Sequence, residues 1–345
     1  MPPLLQIQDL HVSFDTEHGV VQAVTGVSLQ LQRGEVLGLV GESGCGKSAT
    51  AMSIPRLLPL PAARLQGAIR FDGRDLVTLP VAELRLLRGR RIGVIFQDPM
   101  TSLSPLHRVG DQIAEVVQLH ARVSRATAHE RALAWLAEVG IPDPASRSRA
   151  YPHELSGGMQ QRVLIAMALI LEPNLIIADE PTTALDVTIQ AQVLALLRRL
   201  HRGDAGVLLI THDMGVVWEM CTRVAVMYAG EIVEEAPAAA FFAAPQHPYA
   251  RALLDAMPSM ATRGQPLRAI PGQVPSPLAW PAGCRFRDRC ACAVPRCATH
   301  PPLLPCGDGR TARCWRVEVA SGVLAKPPVL QAEGSGFGVG KSYAS

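Results

Sequence analysis

Gly41-Glu42-Ser43-Gly44-Cys45-Gly46-Lys47-Ser48 fits the phosphate-loop template G-x-x-x-x-G-K-[ST], and no other stretch narrows the possible folds as much. A chain of this length meets that template by chance on the order of one time in a hundred, so the flanks have to decide. Residues 36–40 ahead of it read as a short buried strand. Residues 48–54 behind it read as a helix that Pro55 stops. Strand, glycine loop and helix start let the backbone N–H groups of Ser43, Gly44, Cys45, Gly46 and Ala49 surround phosphates, with Gly41 opening the loop. Lys47 would then reach the β- and γ-phosphates, and the Ser48 hydroxyl would hold Mg²⁺. The competing reading is an ordinary glycine turn carrying a surface lysine.

Bulk properties bound the rest. At 345 residues the chain has room for one large domain with an appendage, or for two domains. A net charge of +3 is too small to argue for a nucleic-acid partner. No apolar run approaches the ~18 residues that span a bilayer. No charged-then-apolar leader opens the chain, so the expectation is a soluble, intracellular protein able to dock on a membrane partner.

Residues 4–31 alternate apolar and polar in strand fashion, an antiparallel sheet edge beside the nucleotide core. Phe14 lies in this stretch and is placed either to stack on adenine or to fill a core. Residues 68–71 form a strand closed by the turn Asp72-Gly73. Residues 91–96 form a buried strand that ends at Gln97, whose carbonyl can coordinate Mg²⁺ or orient a water. From about 101 to 172 helical spacing replaces strand spacing, with helices expected over 109–120 and 128–139. Thr127 and Glu130 offer a capping box for the second of these. This helical insertion ends at Ser156-Gly157-Gly158, which reads as a helix start able to face an anion, or as a simple N-cap.

The apolar run 175–178 delivers Asp179 and Glu180 at the carboxyl end of a strand. Two adjacent carboxylates there are costly unless something uses them. Asp179 suits Mg²⁺, and Glu180 suits polarising an attacking water. Asp186 follows in a connector, and a helix runs on to Leu200. Another strand, 207–210, ends near His212, where a side chain could sense a γ-phosphate. Residues 223–228 and 231–235 pair as a hairpin about Ala229-Gly230.

Taken together in this order, the motifs resemble the ATP-binding-cassette ATPases over about residues 4 to 235. Residues 96–103, the Gln246-His247-Pro248-Tyr249 run and the cysteine-rich end look like the dipeptide/oligopeptide (and nickel) importer branch. The resemblance implies an α/β P-loop NTPase with a RecA-like core. An antiparallel β edge and the helical insertion complete a 1–235 domain, and a C-terminal extension over 236–319 and a disordered 320–345 tail follow. It implies that Lys47, Ser48, Gln97, Asp179, Glu180 and His212 serve the ATP held by this chain. Ser156, Gly157 and Gly158 then serve the ATP of a second ATPase subunit packed head-to-tail, with Asp186 crossing between them. Two transmembrane permease subunits and an extracytoplasmic solute-binding protein are the further partners implied, with the chain peripheral at the cytoplasmic face of a bacterial inner membrane. A heterodimer with a homologous ATPase is favoured over a homodimer. Non-transport cassette ATPases usually carry two cassettes or a long coiled coil, and neither is visible. Peptides are the substrate class implied, with nickel or another small solute as the alternative.

Eight cysteines are unevenly placed, and six crowd residues 284–314. The spacing Cys284-x5-Cys290-x6-Cys297-x16-Cys314 matches neither common zinc knuckles nor the ferredoxin run, and taken alone it favours zinc slightly. The resemblance shifts the expectation to a [4Fe–4S] cluster on those four thiols, leaving Cys292 and Cys306 spare. Residues 334–342 imitate a phosphate loop but carry Ser335 where glycine is needed, with no strand ahead.

Overall fold

Alternate residues of the central strands feed two separate cores, so these strands are apolar on both faces. In the computed structural model, residues 2–59, 61–182, 187–200, 203–257 and 269–317 are described. Asp186 and the 320–345 tail, including its imitation loop, lie outside them.

The chain opens with strands β1 (Leu5–Thr16) and β2 (Gly19–Leu31), then β3 (Val36–Val40) and helix α1 (Lys47–Ser53). Strands β4 (Ala63–Phe71) and β5 (Arg74–Asp75) follow, then α2 (Val81–Leu87) and β6 (Ile92–Ile95). Next come the helices α3 (Pro99–Ser102), α4 (Val109–His120), α5 (Arg125–Glu138), α6 (Pro144–Arg147) and α7 (Gly157–Leu169). Strands and helices then alternate through β7 (Leu175–Asp179), α8 (Val187–Leu200), β8 (Gly206–Thr211), α9 (Met214–Met220) and β9 (Arg223–Tyr228). The last elements are β10 (Glu231–Pro237), α10 (Ala238–Ala243), α11 (Pro248–Asp255), β11 (Leu304–Pro305) and β12 (Thr311–Ala312).

Two sheets result. The smaller is antiparallel, in the order β2-β1-β4-β5, and the larger runs β11-β12-β10-β9-β3-β8-β7-β6. Within the larger, β9, β3, β8, β7 and β6 are parallel neighbours, while β10 and β12 join antiparallel. Leu175 and Ile177 of β7 face the smaller sheet's core with Leu37, Leu39, Leu208 and Ile210. Ile176 and Ala178 face the other core, with Val163 and Ile165 of α7 and Val193 of α8. This period-2 split explains why these strands read as unbroken apolar runs.

Local expectations held where the chemistry was local. The Asp72-Gly73 and Ala229-Gly230 turns both stand at positive φ, as a two-residue hairpin loop requires. One cap moves. Helix α5 is capped by Ser124, whose side chain accepts from Thr127 N–H at 3.1 Å, so it starts a turn before the expected Thr127–Glu130 box. Arg125 and Ala126 carry no apolar period but are good helix formers, and the earlier hydroxyl captures the first turn. No helix among the described residues is long and apolar enough to cross a membrane.

The cysteine-rich segment is not a detached appendage. Through β12 it adds to the edge strand β10 of the nucleotide sheet, with Glu234 opposite Ala312. Cys306, Ala312, Cys314 and Val317 close a small core of their own.

Candidate functional site

Four parallel strands end on one side of the sheet, and each delivers a polar residue there. Strand β3 leads into the glycine loop, β6 reaches Gln97, β7 ends at Asp179 with Glu180 next, and β8 precedes His212. This is the crevice outside the carboxyl ends of the strands where open α/β sheets bind ligands. A cleft of about 580 Å³ results, lined by Ala23, Ser43, Gly44, Gly46, Lys47, Ser48, Ala49, Gln97, Glu180 and His212. That volume suits a nucleotide-sized ligand.

The loop is packed too tightly for side chains. Gly46 caps α1 at φ +107, where a Cβ would lie 2.4 Å from Ala23 O. Lys47 is buried, and its Nζ donates to Gly41 O at 2.8 Å and Glu42 O at 3.0 Å, so the ammonium lies across the loop. Cys45 is fully buried, and burial pushes its thiol up.

The carboxylates are tied to the loop and to each other's neighbours. Ser48 Oγ donates to Asp179 Oδ1 at 3.1 Å. Burial raises the Asp179 carboxyl above the usual range against the pull of Ser48 and Lys47, and the charge of Glu180 adds to the rise. Glu180 accepts from Gln97 Nε2 at 2.9 Å and meets His212 Nδ1 at 3.1 Å. Its backbone stands at φ +46, an uncommon conformation for a non-glycine, with its N–H held by Ile210 O. A carboxylate braced on both oxygens and carried on a backbone in an uncommon conformation is what a positioned base needs. Ser48, Asp179 and Gln97 together offer oxygen donors, the chemistry that Mg²⁺ takes.

Other expected residues lie elsewhere. Ser156 caps α7 and accepts from Met159 N–H at 3.4 Å; it and Gly157 are exposed. Neither they nor Gly158 is among the residues lining the cleft named above. Gly158 packs so closely on α8 that a Cβ would lie 2.8 Å from Ile189 Cγ2. Phe14 sits in β1 opposite Val21 and Ala63, partly buried against the smaller sheet's core, and does not appear in that lining.

The cysteines do converge. Cys284, Cys290, Cys292, Cys297 and Cys314 line one small cavity with His247 and Phe286, but its volume is only about 10 Å³, room for a single water. Burial raises Cys284 to about 11 and Cys290 to about 12. Among the described residues no group of three or more His, Cys, Asp or Glu is spaced to hold a metal ion. The expected zinc or iron–sulfur centre therefore finds thiols of the right kind without the room or spacing for either, and gains no support.

One set of residues was not anticipated. Glu42, an unspecified position of the loop template, is gripped by Arg289 through both carboxylate oxygens at 2.7 and 3.0 Å. Its N–H donates to Tyr249 Oη at 2.8 Å. Tyr249 belongs to the Gln246-His247-Pro248-Tyr249 run, and Gln246 and His247 donate their N–H groups to the buried Glu234 carboxylate. The run was visible in sequence; its contact with the loop was not.

Comparison with known proteins agrees with this geometry. Residues 24–183 match the family described as ABC transporter, and residues 233–297 match the oligopeptide/dipeptide transporter C-terminal region. The protein named Probable peptide ABC transporter ATP-binding protein y4tR, from Sinorhizobium fredii, is 53% identical over 317 residues, covering 91% of this chain and 95% of that one. Dipeptide transport ATP-binding protein DppD of Bacillus subtilis is 48% identical over 318 residues, covering 91% and 95%. Oligopeptide transport ATP-binding protein OppD of Salmonella typhimurium is 47% identical, covering 91% and 93%. Among solved structures, a dimeric ATP-binding cassette in a post-hydrolysis state with ADP and Pi superposes with a TM-score of 0.61 at 28% identity, covering 68% of this chain and 98% of that one.

Proposed function

Because the chain belongs to the ATP-binding proteins of ABC transporters, in the branch marked by the oligopeptide/dipeptide transporter C-terminal region, we propose that it drives uptake of di- and oligopeptides across a cytoplasmic membrane. ATP hydrolysis is the reaction of the family. The observation that carries the reading is the meeting of Lys47, Ser48, Gln97, Glu180 and His212 at one cleft, with Asp179 bonded to Ser48 behind it.

In this reading the loop amides and Lys47 hold the ATP phosphates, Lys47 exchanging its two loop carbonyls for phosphate oxygens. Phe14 is the aromatic proposed to stack on adenine, with its place in β1 and partial exposure in favour of that role and its absence from the cleft lining against it. Ser48, Asp179 and Gln97 would hold Mg²⁺, which neutralises phosphate charge. Gln97 and His212 hold the Glu180 carboxylate in place, and Glu180 polarises the attacking water and takes up its proton. His212, which lines the same cleft, also meets the γ-phosphate in this reading.

The exposed Ser156-Gly157 start of α7, with Gly158 after it, faces the ATP of a second ATPase subunit in this reading; Asp186, expected to cross to that subunit, lies outside the described residues. A homologous but different subunit is the favoured partner. Two permease subunits and a solute-binding protein complete the complex, with this chain peripheral at the cytoplasmic face. A [4Fe–4S] cluster on Cys284, Cys290, Cys297 and Cys314 has the convergence of these thiols in its favour and the small cavity against it.

Glu180→Gln keeps the contacts and removes the base. It should bind ATP as wild type does and accumulate as a closed dimer. Turnover of the assembled transporter should fall by about a hundredfold or more. Unchanged turnover would refute the assignment. Proteoliposomes of the complex should take up peptides only with ATP, and failure to move any peptide in the presence of the binding protein would reject the substrate class. Metal analysis of anaerobically prepared protein decides the cluster: iron and sulfide, both lost on Cys290→Ser, would establish it against the small cavity, and zinc instead, or no metal, removes it.

A further inference from the structure

Glu42 is held at all three of its polar groups. Tyr249 Oη accepts from its N–H at 2.8 Å, Lys47 Nζ donates to its carbonyl at 3.0 Å, and Arg289 takes both carboxylate oxygens. Two of these holds come from the C-terminal extension, and the third from the lysine of the phosphate loop. Arg289 is itself fixed. Its side chain is 5% exposed, its Nε donates to Pro271 O at 2.7 Å, and its guanidinium lies beside the rings of Tyr228 and Phe286. Those rings and Tyr249 form one cluster, with centroids 4.6 to 5.4 Å apart. A planar, bidentate guanidinium anchored in this way constrains its carboxylate in direction as well as distance. Cys45, buried in the smaller sheet's core, is the other side chain that anchors the loop between Gly41 and Lys47, since Gly44 and Gly46 carry none and Ser43 is exposed.

We propose that Arg289 and Tyr249 are positioning residues for the phosphate loop, so that the C-terminal extension, acting through Glu42, sets the geometry in which Lys47 meets the nucleotide. The proposal rests on the ATP site described above and extends it to residues that touch no substrate. Arg289 precedes Cys290, so whatever reshapes the cysteine cavity acts on the residue next to the tether. Removing one member of a partly buried, hydrogen-bonded charge pair leaves the other unpaired, and here the unpaired group is part of the loop itself.

The test uses the full-length chain, with MANT-ATP as the binding probe, and the assembled transporter for steady-state turnover. Arg289→Met should weaken MANT-ATP binding about tenfold and raise KM for ATP to match, while kcat at saturating ATP stays within about threefold of wild type. Arg289→Lys should recover part of the loss. Adding Glu42→Gln to Arg289→Met should cost nothing more, because the two act through one contact. Tyr249→Phe removes a single oxygen, and it should raise KM in the same way even if Arg289→Met fails to fold. The wild-type titration tests the ATP site separately from the tether. Wild-type binding and KM in the folded Arg289 or Tyr249 variants would overturn the proposal, as would a fall in kcat with KM unchanged.

Discussion

Gly46 stands at φ +107, with Ala23 O and Met227 Cε in the space a Cβ would need, at 2.4 and 2.6 Å. Both the dihedral and the contacts exclude a side chain, so Gly46→Ala must shift the loop or the β2 backbone beside it. The left-handed conformation alone costs a non-glycine residue roughly 1–2 kcal/mol. Gly46→Ala should lower the melting temperature and abolish MANT-ATP binding, whereas Gly44→Ala, with nothing within 4 Å of its Cβ, meets only its positive φ and should be milder. Equal binding by the two variants would show that the close approach at Gly46 does not matter. Such residues were legible in sequence because the template names them. Glu42 was not, because the template leaves its position open and its ion-pair partner lies 247 residues away. Glu180 was legible as an acid at a strand end; its positive φ and its two braces were not, since neither has a local signature.

Among the elements, strands and turns were read well because burial on both faces and paired positive-φ residues leave marks in a few consecutive positions. The C-terminal extension was recognisable by its family resemblance, but its strands left no such marks. Its strands β11 and β12 are two residues each, too short to show a period, and its register is set by pairing with β10. The clamp on α11 also depends on tertiary contact. Glu234 is fully buried, and its carboxylate accepts the N–H groups of Gln246 and His247 just before the helix that carries Tyr249. Burial raises Glu234 from 4.5 to about 7, with the two N–H groups, Arg310 and Arg251 pulling the other way. Between those two values the folded protein keeps a proton that the unfolded chain has released. Stability contributed by this group is therefore present below pH 4.5 and is lost as pH rises through about 7. At 1.36 kcal/mol per pKa unit the swing is ~3 kcal/mol. Urea unfolding of wild type between pH 4.5 and 8 should fall more steeply with pH than that of Glu234→Gln. Parallel profiles would mean that Glu234 titrates normally.

At the scale of the whole molecule, the phosphate loop and the Ser156-Gly157-Gly158 motif are not brought to one cleft. Lys47, Ser48 and Glu180 share a cleft that Ser156 does not line, and Ser156 is exposed at the start of α7. The resemblance already assigns Ser156 to the ATP of a second subunit; the structure adds that Ser156 does not line the cleft that Lys47, Ser48 and Glu180 share. The difference is measurable. Ser156→Arg places a long cation on an exposed helix start, where loss of the N-cap costs ~1 kcal/mol and the fold should survive. If Ser156 serves another subunit's ATP, the isolated Ser156→Arg chain should bind MANT-ATP with the wild-type Kd, while Lys47→Ala should lose binding outright. In the assembled transporter both should fail, Ser156→Arg by about tenfold or more in turnover, because an arginine in the junction obstructs closure on the partner's nucleotide. A Kd changed by Ser156→Arg in the isolated chain would place the serine at this chain's own site. Wild-type turnover of that variant in the complex would remove it from either site.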